Sequence, residues 1–124
     1  MKPRFSPGRN IAVKVPSHEY ERTVAFYQEV LGLTALTGPA SSVHETTRFA
    51  FGDKVLWIDR VAELSQAEIW LEVVTDDVER AAAHLAESGC ARRDEIERLP
   101  ADFEGFWIAS PSNVIHLIVP ADEA

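Results

Sequence analysis

The sequence is short of cysteine and has no long hydrophobic run. Cys90 is the single cysteine among 124 residues, so an internal disulfide, on which small secreted domains usually depend, is excluded. No apolar stretch approaches the roughly 18 residues that a membrane-spanning helix needs. The opening residues MKPRFSPGRN also lack the apolar block of a secretory signal. These features predict a cytoplasmic protein with no membrane partner.

Basic residues are also few, because 12 lysines and arginines stand against 20 acidic residues, for a net charge of −8. A surface that follows a phosphate backbone needs the opposite sign, so nucleic acid is disfavoured as a partner. The sequence has no glycine-rich phosphate loop, no nucleophile elbow and no CxxC motif. We therefore expect the ligand to be a small molecule. The negative net charge of the protein modestly favours a cationic one through long-range attraction.

The chain repeats itself at a shift of 58 positions. The alternating residues Ile11, Val13 and Val15 fall on Ile69, Leu71 and Val73, and a helical pattern follows each set. Short strand patterns come after each helix, and the last hairpin aligns at a shift of 59, with residues 55–59 over 114–118. The pattern predicts an α+β protein in which a βαβββ module occurs twice, giving eight strands and two helices.

These modules give the expected organisation of one domain, 1–124. An N-terminal arm covers 1–9, the first module 10–61 and the second module 62–120. Each module is expected to form a curved, incompletely closed part of a mixed sheet around a cleft. An exposed sheet edge and an apolar rim then favour a homodimer.

Three segments carry a resemblance to a known family. The strand NIAVKV, the helix segment FYQEVLGL at 26–33 and the hairpin ASPSNVIHLI resemble the vicinal oxygen chelate superfamily, over residues 10–119. That superfamily includes glyoxalase I, bleomycin-resistance proteins and extradiol dioxygenases. The resemblance implies one metal ligand on each of four strands, and the matching positions here are Asn10, Trp57, Glu68 and His116.

Alternation along the strands predicts which side chains face the cleft. The apolar sets, which include Leu56, Ile58, Ile115, Leu117 and Val119, are expected to cover the helices. The opposite face then mixes aromatic and polar groups, as small-molecule pockets do. The predicted ligand-binding residues are Asn10, Lys14, Trp57, Asp59, Glu68, Trp70, Glu72 and His116.

The four matching positions make a poor metal site. Tryptophan cannot ligate a metal, and the amide oxygen of Asn10 is a weak donor for zinc or iron. No cofactor is firmly predicted, and a divalent metal would rest on Glu68, His116 and Asn10. Alternatively, Glu68 and His116 hydrogen-bond each other without a metal and serve as a general base or a polar anchor.

Two functional hypotheses follow. In the first, the chain is a small-molecule-binding protein of the glyoxalase/bleomycin-resistance type without a complete metal site. Its ligand is aromatic or cationic, stacks on Trp57 and Trp70, and meets acceptors on Glu68, Glu72 and Asp59. In the second, it is a divalent-metal-dependent lyase, isomerase or dioxygenase of the same superfamily, with Glu68 and His116 as the candidate catalytic residues.

Overall fold

The computed structural model of the protein describes residues 2–40 and 42–123. The chain divides into two compact units. One comprises residues 9–69, and the other comprises residues 1–8 together with 70–124. We call them the 9–69 unit and the 70–124 unit. No helix within the described ranges is long and apolar enough to cross a membrane.

The 9–69 unit holds three strands and a helix. Its elements are β1 (Phe5–Val15, whose first four residues belong to the 70–124 unit), α1 (Tyr20–Ala25, continued by a π-helical turn over Phe26–Val30), β2 (Thr46–Phe51) and β3 (Lys54–Arg60). β3 pairs in parallel with β1 and antiparallel with β2. The first of the short strands predicted after the helix of this unit is reduced to a single bridge between Ala35 and Phe49. Gly38, with φ of 99°, and Pro39, which lacks an N–H, lead the chain away from further pairing.

The core of this unit lies between α1 and one face of its strands. Val15, Tyr20, Phe49, Leu56 and Ile58 are buried there, and Ile11, Val13 and Val24 pack against them. Tyr20 also donates or accepts a hydrogen bond with Thr47 Oγ1 at 2.7 Å. The predicted helix-facing sets of β1 and β3 are therefore confirmed.

The 70–124 unit holds four strands and a helix. They are β4 (Glu68–Thr75, which begins at the end of the other unit), α2 (Val78–Glu87), β5 (Ala91–Arg92), β6 (Phe106–Ala109) and β7 (Ile115–Pro120). The Asp77 side chain caps α2 by accepting from the backbone N–H of Arg80 at 3.0 Å. Gly89 ends the helix with φ of 84°, a conformation that favours glycine.

Each unit contains parallel and antiparallel strand pairs, so the predicted α+β class with mixed strand pairing is confirmed. Hydrogen bonds link the strands in the order β2-β3-β1 in the 9–69 unit and β4-β7-β6-β5 in the 70–124 unit. Within the described residues there are seven strands rather than the eight predicted, because the segment at Ala35 forms only its one bridge.

The register of the two parallel pairs is the same. Ile11 pairs with Leu56 and Leu71 pairs with His116, in each case 45 positions further along the chain. The 58-residue shift therefore holds through the last hairpin, and Ile58 corresponds to His116. The predicted shift of 59 for this hairpin is wrong by one residue.

This correction reverses the predicted faces of β7, because a one-residue slip moves every side chain of a strand to the other side. Ile118 pairs with Val73 and with Phe106, and all three pack with α2. His116 shares their face. Ile115, Leu117 and Val119, which were expected to cover the helix, occupy the opposite face.

Two phenylalanines on one face of β2 test the position of the core in the 9–69 unit. Phe49 is fully buried, whereas Phe51, two residues away, is 43% exposed. We expect Phe49→Ala to lower the free energy of unfolding by about 3–5 kcal/mol, because it leaves a cavity. Phe51→Ala should cost less than about 1 kcal/mol. Urea unfolding measures both, and equal losses would contradict this assignment of the core.

Candidate functional site

The candidate site is the face of the 9–69 strands that points away from α1. The register brings two rows of side chains together on it. Trp57 on β3 lies between Ala12 on β1 and Arg48 on β2, and the next row is Lys14, Asp59 and Thr46. Ala12, the partner of Trp57 on β1, has a small side chain.

The indole of Trp57 is half-buried and held in a fixed orientation. Its Nε1–H donates to Oδ1 of Asn10 at 2.8 Å. Asn10 and Trp57, which were both expected at metal-ligand positions, are thus hydrogen-bonded to each other. A tryptophan whose polar edge is already satisfied offers its ring for stacking without an unpaired donor.

The guanidinium of Arg48 lies over this ring, and sequence reasoning missed this residue. Its guanidinium carbon is 5.5 Å from the centroid of the Trp57 ring. Its Nη2 donates to the backbone carbonyls of Thr37 and Gly38 at 3.3 and 3.1 Å, which anchors the side chain to the loop before β2. Extending the alternation of β2 opposite Trp57 would have identified it.

Lys14 and Asp59 form a buried ion pair in the neighbouring row. Nζ of Lys14 donates to Oδ2 of Asp59 at 2.7 Å, and the two side chains are 3% and 4% exposed. Oδ1 of Asp59 has no hydrogen-bond partner within residues 2–40 and 42–123. The charge of Asp59 is therefore balanced by Lys14 rather than available to a cationic ligand.

The second predicted tryptophan platform lies in the 70–124 unit and is buried. Trp70 packs edge to face against Trp107, with ring centroids 5.2 Å apart, and the two residues are 7% and 5% exposed. Nε1–H of Trp107, a residue that sequence reasoning did not select, donates to the carbonyl of Glu97 at 2.9 Å. Trp70 thus stabilises its own unit, and little of its ring is accessible.

Glu72 is also buried, at 8% exposure. It lies so close to Gly8 that a Cβ added to Gly8 would be 2.5 Å from its Oε1. Glycine is therefore required at this point of β1 for steric reasons.

The two candidate catalytic residues do not share a face. His116 lies on the α2 side of β7, and its Nδ1 donates to the carbonyl of Val114 at 2.9 Å. Glu68 is the exposed first residue of β4 and by alternation shares the face of Trp70 and Glu72. The expectation that Glu68 and His116 lie on a common face is wrong, because it depended on the misplaced register of β7.

These residues do not fit a divalent metal site of the expected kind. Of its four positions, Trp57 has no lone pair to offer, Asn10 is bonded to Trp57, and His116 is on the helix side of its strand. No group of three or more His, Cys, Asp and Glu side chains that could hold a metal occurs among the described residues.

A cavity of about 480 Å³ in the 70–124 unit has an acidic rim. It is lined by Asp94, Glu95, Glu97, Arg98, Leu99, Phe103, Gly105 and Trp107. Two of its carboxylates are paired, Asp94 with Arg92 at 2.8 Å and Glu95 with Arg93 at 2.7 Å. The hydrogen bond from Arg93 lowers the pKa of Glu95 below its usual value. The arginines thus offset much of the rim's negative charge.

A comparison with models of known protein families shows which family the chain belongs to. Residues 11–113 match the model of the glyoxalase-like domain. The chain belongs to this family. The match covers most of the sequence, and the vicinal oxygen chelate superfamily predicted from the sequence motifs is confirmed. No curated protein sequence matches the chain.

Solved structures share the fold of this glyoxalase-like chain. The Mn(II)-bound glyoxalase from Novosphingobium aromaticivorans is 20% identical with a TM-score of 0.65, over 94% of this chain and 39% of that one. Homoprotocatechuate 2,3-dioxygenase from Arthrobacter globiformis is 18% identical with a TM-score of 0.60, over 96% and 37%. A glyoxalase/bleomycin resistance protein/dioxygenase superfamily member from Vibrio splendidus 12B01 is 14% identical with a TM-score of 0.56, over 87% and 95%. The chain thus spans about two fifths of the first two proteins.

The buried ion pair yields a stability prediction for this glyoxalase-like chain. Replacing Lys14 with Met leaves the Asp59 carboxylate buried and uncompensated, so we expect a loss of about 3–5 kcal/mol in the free energy of unfolding. The double variant Lys14→Met/Asp59→Leu should recover most of that loss, since it removes both charges.

Urea unfolding at neutral pH measures these variants. Arg93→Met, which breaks an exposed pair, is the matched control and should leave the midpoint nearly unchanged. A double variant as unstable as Lys14→Met would refute the claim that the uncompensated charge causes the loss.

Proposed function

We propose that this protein binds a small molecule, as a member of the glyoxalase/bleomycin-resistance type, and that a planar aromatic group of the ligand stacks on Trp57. The observation that carries the proposal is the half-buried indole fixed by Asn10 on the face away from α1. A ring held in advance costs little conformational entropy when a ligand binds.

The three tryptophans differ in what they can offer to a ligand. Trp70 and Trp107 are at least 93% buried and pack against each other, whereas Trp57 is only half-buried. We therefore assign the aromatic platform to Trp57 alone, and Trp70 leaves the proposed site.

Charge near the platform favours an aromatic ligand over a cationic one. The guanidinium of Arg48 already lies over the Trp57 ring, where a cationic ligand would otherwise gain from cation–π attraction. Asp59, expected to attract such a cation, is neutralised by Lys14. The aromatic half of the original hypothesis thus has support in the contacts of Trp57.

Binding is also favoured over metal-dependent catalysis as the activity. The enzymatic alternative rests on Glu68 and His116 acting together, and the strand register sets His116 on the α2 side of its strand. The dioxygenase and glyoxalase among the similar structures support the fold and not a shared reaction.

A homodimer in the cytoplasm remains part of this proposal. Apolar side chains stay exposed at the end of the first helical segment, with Phe26 at 45%, Val30 at 73% and Leu31 at 52%. Exposed apolar groups of this kind are typical of contact surfaces between subunits.

Trp57 supplies a direct reporter for the test. We would record ¹⁵N–¹H correlation spectra, in which each of the three indole N–H groups gives one peak, and titrate benzamide, catechol and benzoate. We expect at least one probe to shift the Trp57 peak in a saturable way and to leave the peaks of Trp70 and Trp107 in place. The Trp57→Phe variant assigns the peak.

Removal of the ring should weaken the probe that binds. For Trp57→Ala we expect a loss of about 1–3 kcal/mol in binding free energy, the usual value of one stacked ring, measured by titration calorimetry because the variant lacks the Trp57 peak. Trp57→Phe, which retains an aromatic face, should lose less. If no probe shifts the Trp57 peak, or if Trp57→Ala binds as well as the parent protein, the proposal fails.

A further inference from the structure

Resting on the proposed function, we infer that Arg48 makes the site selective for aromatic carboxylates, with the ligand ring on Trp57 and its carboxylate at the guanidinium. The residue lies on β2 directly opposite Trp57 in the register. A single small ligand can therefore contact both side chains at once.

Arg48 retains donors that the described part of the chain does not use. Nη2 is occupied by the carbonyls of Thr37 and Gly38. Nε–H and the two N–H groups of Nη1 have no hydrogen-bond partner in residues 2–40 and 42–123. A carboxylate is the acceptor that gains most from such donors, because both partners are charged.

The charge of Arg48 is not paired with an acidic side chain in the part of the chain that the structure describes. Within the described ranges, no carboxylate lies within 4.0 Å of its guanidinium, whereas Arg60 pairs with Glu21 and Glu45 in the same unit. Arg48 is half-buried, and no acidic side chain among the described residues balances its charge. It can therefore attract an anionic group locally, although the net charge of the chain is −8.

The anchoring of Arg48 supports selectivity rather than general attraction. Its two carbonyl contacts and its position at the Trp57 ring restrict the long side chain before any ligand arrives. The guanidinium is therefore presented at one place relative to the aromatic platform, and a ligand gains from it only when its carboxylate lies near its ring.

The test uses benzoate and benzamide, which have nearly the same shape but differ in charge. With the Trp57 indole peak as the readout, we expect the parent protein to bind benzoate about 10-fold more tightly than benzamide. Arg48→Gln should lose the preference for benzoate, so that its affinities for benzoate and benzamide become nearly equal whatever their absolute values. Arg48→Lys, which keeps the charge without the planar fork, should retain part of the preference.

Arg22→Gln is the matched control, because it removes the same charge from an exposed position on α1 of the same unit. It should keep the full preference. If Arg48→Gln still prefers benzoate, or if Arg22→Gln loses the preference equally, the role of Arg48 is overturned while aromatic binding at Trp57 stands. If neither probe shifts the Trp57 peak in the parent protein, the proposed function falls and this inference with it.

Discussion

The parallel pairing of the first and last strands of each unit is the constraint on which the rest depends. Ile11 with Leu56 and Leu71 with His116 fix the same register in both units. Since side chains alternate along a strand, this register decides which of them pack against a helix and which form the other face. In the 9–69 unit it directs Leu56 and Ile58 to α1 and leaves Trp57 and Asp59 on the opposite side.

In each unit, one face of the strands points away from the helix, and the side chains on this face differ between the two units. In the 9–69 unit that face carries an indole, a guanidinium and an internally balanced ion pair. In the 70–124 unit it carries Trp70 and Trp107, which pack against each other and are buried. The same strand register thus accompanies a half-buried indole, that of Trp57, in one unit and two buried indoles that pack against each other in the other.

Much of this could be predicted from periodicity. The α+β class, the position of both helices and the helix-facing sets of β1 and β3 follow from apolar alternation, which the core packing of the 9–69 unit confirms. The side of the sheet that each β7 residue faces could not be predicted securely. The segment VIHLI at 114–118 has apolar residues at odd and at even positions, so alternation is compatible with either register. Tertiary packing of Ile118 with Val73 and Phe106 decides it.

The candidate site was predictable only in part. Alternation placed Trp57 and Asn10 on one face but did not reveal the hydrogen bond between them. Burial of Trp70 depends on Trp107, which lies 37 positions further along the chain. Arg48 was not predicted as a site residue, because the alternation argument was not extended from β3 to β2, where Arg48 pairs with Trp57.

The central claim is that Trp57 is the accessible tryptophan and that a positive charge stands beside it. Quenching of tryptophan fluorescence by iodide and by caesium ions tests both parts together. We predict that iodide quenches more strongly than caesium despite the net charge of −8, and that Trp57→Phe removes most of the quenchable emission. Stronger quenching by caesium, or quenching that persists unchanged in Trp57→Phe, would contradict it.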